Sequence, residues 1–156
     1  MQTDLKRLGA EDVDLYGDGE PLTHPQAVEM IALARQAGLK GALATNGALV
    51  SDERARQLGD LGISRLHVSL NAATEETYAA MHPGTPPGRL PGIVTRLRRM
   101  AEYAEASGRP KVPVEISAVL TRLNRDEIPL LVRVAQAARA DWVLLIVMGA
   151  VQSQPG

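Results

Sequence analysis

Short apolar runs and helical stripes alternate along the chain. Five runs, at 13–17, 42–45, 66–70, 112–119 and 142–148, have strand length and are rich in Val, Leu and Ile. Between them the apolar residues recur at helical spacing. Pro25 suits the first position of a helix, Gly38 closes it, and Ala27, Met30, Ile31 and Ala34 are expected on its inner face. Ser51 followed by Asp52 and Glu53, and Thr74 followed by Glu75 and Glu76, read as N-caps with acids set against the positive helix end. A long helix is expected from about residue 89 to 106, with Ile93, Val94, Leu97, Met100, Ala101 and Ala104 on one face and Gly108 after its end. The last helix follows Asn124, whose spacing to Glu127 is close to a capping box, although Pro129 disturbs its first turn.

The order βαβαβαβαβ predicts a parallel sheet with flanking helices, hence an α/β fold. Residues 5–9 read as the tail of a further helix whose strand precedes the sequence. At 156 residues the chain is shorter than a full eight-unit barrel, which needs roughly 250. No linker divides it. Residues 1–156 are therefore expected to form a single, incomplete (βα) domain, with 82–88 a loop insertion inside one unit.

In such folds ligands bind beyond the C-terminal strand ends. There the polar residues collect: residues 17–21 (Gly-Asp-Gly-Glu-Pro), Thr45-Asn46-Gly47, and Ser69-Leu70-Asn71. Gly17 and Gly19 are expected to take unusual backbone angles that turn carbonyls toward a ligand. With the Glu20 carboxylate they would make an acceptor-rich pocket suited to an ammonium rather than a phosphate. The alternative is a plain strand-to-helix turn. On the third strand, alternation puts His67, Ser69 and Asn71 on the inner face and Leu66, Val68 and Leu70 against the helices. These inner residues are either ligand contacts or hydrogen-bonded interior groups. Glu115 and Ser117 point inward by the same logic, and Glu115 is either functional or paired with an interior Arg, His or Lys. His24 is expected at a helix cap and His82 in an exposed loop. The fifth strand is apolar on both faces and so calls for cover on both.

Charge nearly cancels, with 17 basic against 18 acidic residues, and like charges do not cluster. Nucleic-acid and membrane-surface binding are therefore not expected, and small-molecule chemistry is. Without a signal peptide pattern or a spanning apolar run, the chain is expected in the cytoplasm. It has no cysteine, which excludes disulfides, thiolate metal sites and cysteine nucleophiles. The three histidines are too scattered for a metal motif, so no metal ligand and no catalytic residue is assigned.

The ordered set Leu15-Tyr16-Gly17-Asp18-Gly19-Glu20-Pro21-Leu22, Ala44-Thr45-Asn46-Gly47, Leu66-His67-Val68-Ser69-Leu70-Asn71-Ala72 and Val119-Leu120-Thr121-Arg122-Leu123-Asn124 resembles the radical S-adenosylmethionine (radical SAM) superfamily. The resemblance covers nearly the whole chain. It implies a partial TIM-like barrel, with the five strands here standing for strands 2 to 6 of a (βα)6 core. Gly17, Asp18, Gly19 and Glu20 correspond to the family's GGE motif, which binds the amino group of S-adenosylmethionine, with Asp18 where many members have Gly. By the same resemblance Ser69 and Asn71 lie near the ribose and carboxylate, and Val119, Leu120, Val147 and Met148 fall where adenine is held, whereas Asn46 reads from its own sequence as a turn residue first and a ligand contact second. Family members also ligate a [4Fe–4S] cluster through a CxxxCxxC loop, and this chain has no ligand for one.

The resemblance therefore implies a parent enzyme that reductively cleaves S-adenosylmethionine to a 5′-deoxyadenosyl radical, of which this chain is a truncated or cluster-less portion, inactive alone. The alternatives are a non-catalytic module that binds S-adenosylmethionine or a nucleoside, and a scaffold or interaction domain. Exposed sheet edges are expected to lead to self-association or to a barrel-completing partner.

Overall fold

The computed structural model describes residues 2–147. Five strands, β1 (Asp12–Leu15), β2 (Lys40–Thr45), β3 (Arg65–Ser69), β4 (Val114–Leu120) and β5 (Trp142–Val147), pair in parallel in chain order. No strand is skipped, so the sheet curls one way and has no reversal point of the kind that marks a doubly wound fold. The helices α1 (Gln2–Arg7), α2 (Ala27–Gln36), α3 (Asp52–Leu61), α4 (Glu75–Met81), α5 (Arg89–Ala106) and α6 (Ile128–Ala137) complete the predicted alternation.

The core lies between the outer face of the sheet and the helices. Leu43, Leu66, Val68, Val114 and Ile116 point outward from the strands onto Ile31 of α2, Leu58 of α3, Ile93 and Leu97 of α5 and Ala135 of α6, all nearly or fully buried. Each large side chain buried this way stabilises the fold by about 1.5–3 kcal/mol. The expected caps are present. Ser51 Oγ accepts from Arg54 N at 3.2 Å, and Thr74 Oγ1 accepts from Thr77 N at 3.2 Å. Gly62 ends α3 in the left-handed region at φ 59°, where a Cβ is disfavoured.

Several expectations change. Pro25 precedes α2 instead of starting it, because a 3₁₀ turn over Pro21–Thr23 and Gln26 as N-cap shift the first helical residue to Ala27. Ala27, Ile31 and Ala34 then form the buried stripe, and Met30 is left 40% exposed. His82 is not loose in a loop. It caps the end of α4 and stacks on Tyr78, with ring centroids 4.4 Å apart. Asn124 and Glu127 do not form a capping box. A 3₁₀ turn over Arg125–Glu127 places Pro129 in the first turn of α6, where its missing N–H costs nothing. Both polar side chains bond elsewhere. Fully buried Asn124 donates from Nδ2 to Asn71 O at 2.7 Å and Val119 O at 2.8 Å. Glu127 reaches the start of α4, accepting from Ala73 N at 2.8 Å, Thr74 Oγ1 at 2.7 Å and Thr77 Oγ1 at 2.6 Å. Finally, β5 is covered on one face only. Val143 packs against the core, while Trp142, Leu144 and Ile146 are exposed on the inner face.

Candidate cofactor groove

The turn after β1 is held by one carboxylate. Glu20 Oε1 accepts from Leu22 N at 3.0 Å, capping the 3₁₀ turn, and from Thr45 Oγ1 at 2.7 Å. Its Oε2 accepts from Asn46 N at 2.7 Å. Glu20 thus clamps its own turn to the end of β2 with three of about four lone-pair directions. Beyond it the chain turns tightly. Thr45 Oγ1 accepts from Gly47 N at 3.0 Å, and Asn46 Oδ1 accepts from Ala48 N at 2.9 Å. Gly47 is required there: φ is +76°, and a Cβ would stand 2.8 Å from Ile93 Cγ2.

Gly17 and Gly19 differ from the expectation. Neither has a positive φ, and a Cβ on either would meet nothing within 4 Å. Their contribution is space, since both border a groove of about 510 Å³ at the C-terminal ends of the strands. Of the residues singled out in the sequence, Gly17, Asp18, Gly19, Glu20, Asn46 and Ser69 border it together. Val119, His67 and Ser117, also singled out there, join them, as do Tyr16, Thr45 and Ile146. Tyr16 is 80% exposed, a large apolar ring that sequence reasoning passed over although it adjoins the Gly-rich turn.

Asn71 and Leu120 do not border the groove. Asn71 instead adopts a left-handed backbone at φ 60° and ties β3 to β4. Its Oδ1 accepts from Val119 N at 2.9 Å, and its Nδ2 donates to Ser69 Oγ at 3.2 Å. Met148 lies outside the described residues.

A polar line on the inner sheet face runs inward from the floor of the groove. Register sets His67 beside Glu115 and Ser69 beside Ser117. His67 Nδ1 is 2.6 Å from Glu115 Oε1, and Ser117 Oγ is 2.9 Å from His67 Nε2. Glu115 has found an interior histidine, one of the partners its position demanded. His67 and Glu115 also border a second, inner cavity of about 330 Å³, with Asp14, Arg65 and Leu144. Arg65 and Asp14 face each other there at 3.5 Å.

A carboxylate with about one lone-pair direction left, beside an open glycine wall, fits the ammonium of a cofactor such as S-adenosylmethionine. The residues do not fit an iron–sulfur cluster. The chain has no thiolate, and among the described residues no three His, Cys, Asp or Glu side chains gather where a metal could be held. Among the described residues no helix is long and apolar enough to cross a membrane.

Comparison with known proteins agrees with this fold. The chain is 35% identical over 167 residues to the GTP 3′,8-cyclase of a Synechococcus species, covering 93% of this chain and 48% of that protein. It is 33% identical over 116 residues to the AdoMet-dependent heme synthase of Methanosarcina barkeri, covering 73% and 30%. It thus spans less than half the length of these relatives. Among solved structures, Streptococcus suis SuiB bound to S-adenosylmethionine superposes with a TM-score of 0.69 at 18% identity, over 91% of this chain and 31% of that one. Archaeal TYW1 gives 0.65 at 21%, over 86% and 42%. The likeness to these structures is one of fold, the partial TIM-like barrel. The model of the Radical SAM superfamily matches residues 2–135, and the chain belongs to that family.

Proposed function

We propose that this chain is the S-adenosylmethionine cradle of a radical SAM enzyme whose overall activity is reductive cleavage of the cofactor to a 5′-deoxyadenosyl radical. The carrying observation is the groove wall. Gly17 and Gly19 leave it open without any backbone need for glycine, while Glu20 fixes the turn rigidly against Thr45 and Asn46. Carbonyls of that turn, with the residual charge of Glu20, would take the amino group. Ser69 on the neighbouring strand end would take a polar group further along the cofactor. A preorganised wall of this kind lowers the ordering cost of binding.

The chain alone is not expected to cleave the cofactor, because cleavage draws an electron from a thiolate-held cluster and no thiolate is present. Calorimetric titration with S-adenosylmethionine tests the cradle: saturable heat is expected, and none up to millimolar ligand would favour a scaffold role. Anaerobic treatment with iron, sulfide and a reductant tests the second part. No 5′-deoxyadenosine above a no-protein control is expected, and its appearance would refute the proposed inactivity.

A further inference from the structure

We infer that Ser117 is a specificity-determining hydrogen-bond acceptor on the groove floor, oriented by His67 and Glu115, and that it selects ligands presenting a hydroxyl or amino donor there. This rests on the reading of the groove as a ligand site. The direction follows from the partners. A carboxylate only accepts, so the 2.6 Å contact to Glu115 Oε1 places the imidazole hydrogen on His67 Nδ1. Our inference is that the ring carries this one hydrogen, so that Nε2 accepts and Ser117 Oγ at 2.9 Å donates to it. With its one hydrogen directed inward, Ser117 has only lone pairs left for the groove it borders.

The arrangement is sheltered. Ser117 is 2% exposed, and the side chains of His67 and Glu115 are 23% and 18% exposed, so water competes weakly for these bonds. Ser69, paired beside Ser117 in register, has the complementary bias. Its Oγ accepts from Asn71 Nδ2 at 3.2 Å, leaving its own hydrogen to donate. The floor therefore offers an acceptor next to a donor. A hydroxyl matches both, whereas a ligand carboxylate or phosphate would set its lone pairs against those of Ser117. Glu115 and His67 act as positioning residues.

The test combines histidine-selective NMR of the ligand-free chain with calorimetric titration of S-adenosylmethionine. The wild type is expected to show the Nδ1–H tautomer at His67. Ser117→Ala is expected to bind about fivefold to tenfold more weakly with an unchanged circular dichroism spectrum. Ser117→Thr, which keeps the hydroxyl, is expected to retain affinity. Glu115→Gln is expected to mix the His67 tautomers and to weaken binding severalfold, although Glu115 does not border the groove. Should Ser117→Ala fail to fold, Glu115→Gln decides between the same outcomes. Hydrogen on His67 Nε2 in the wild type, in the Nε2–H tautomer or in the doubly protonated ring, overturns the inference. So does wild-type binding that Ser117→Ala and Glu115→Gln leave unchanged, which would make the three residues a structural network only. Absence of binding to the wild type overturns the reading of the groove as well.

Discussion

The backbone N–H of Asn46 donates to Glu20 Oε2 at 2.7 Å, so the loop after one strand is locked to the end of the next through a side chain 26 residues away. Removing that carboxylate strands three donors at once: Leu22 N, Thr45 Oγ1 and Asn46 N. Glu20→Ala is expected to cost about 2–3 kcal/mol in urea unfolding, since bonds to a charged acceptor are the stronger kind. It is also expected to weaken S-adenosylmethionine binding more than tenfold in calorimetry, with Glu20→Gln intermediate in both.

Much of the inner face was legible in the sequence because alternation is a local property. Leu66 and Val68 against His67 and Ser69, and Ile116 against Glu115 and Ser117, follow from a period of two. What alternation cannot supply is the destination of a side chain that leaves its own element. Asn124 and Glu127 have the spacing of a local cap, yet one is consumed by Asn71 O and Val119 O and the other by the start of α4. Asn71 reads as a ligand residue by its place at a strand end, and its bond to Val119 N exists only once β3 and β4 are paired. The glycines of the turn were legible as a motif but not in their proposed reason, which is open space at the groove and not backbone angle.

That reason separates two kinds of glycine. Gly17→Ala and Gly19→Ala are expected to leave the unfolding midpoint nearly unchanged while reducing S-adenosylmethionine affinity, because the added methyl enters open groove space. Gly47→Ala is expected to destabilise by more than about 1 kcal/mol, having both a positive φ and a clash with Ile93. Melting temperature and binding heat measured on the same three variants check both statements.

Asn124 is the fully buried polar staple between the β3 and β4 ends. Asn124→Ala leaves the carbonyls of Asn71 and Val119 and the N–H of Thr121 without their partner in a site closed to water. A loss of about 3 kcal/mol is expected in chemical denaturation. Asn124→Asp, which keeps the acceptor for Thr121 but loses the donor, is expected to be comparably damaging.

Glu127 makes stability depend on acidity. Burial pushes its carboxyl upward, but the Thr77 and Thr74 hydroxyls and the Ala73 and Thr74 N–H groups together outweigh burial and hold it below the ordinary carboxylate range. A carboxyl lowered in the folded state stabilises fully above its unfolded value, and that contribution fades as pH falls through the folded one. The stability gap between wild type and Glu127→Gln is therefore expected to be largest near neutrality and to shrink in acid. Urea midpoints of both proteins from neutral pH downward measure it.

Trp142, Leu144 and Ile146 leave apolar surface on the inner face of the last strand. Concentration-dependent association with a second copy is expected in sedimentation, and Leu144→Lys with Ile146→Lys is expected to reduce it.

Because the strands stand in the sheet in the order in which they occur in the chain, each ladder joins neighbouring βα units, as Leu43 with Leu66. During synthesis each strand after β1 therefore emerges with a neighbour it pairs with already outside the ribosome. The loop-closure cost is met one unit at a time rather than in a single pairing of distant chain ends. The rim of the groove is assembled in the same sequence: the glycine turn first, its Asn46 tether next, and the serine floor last.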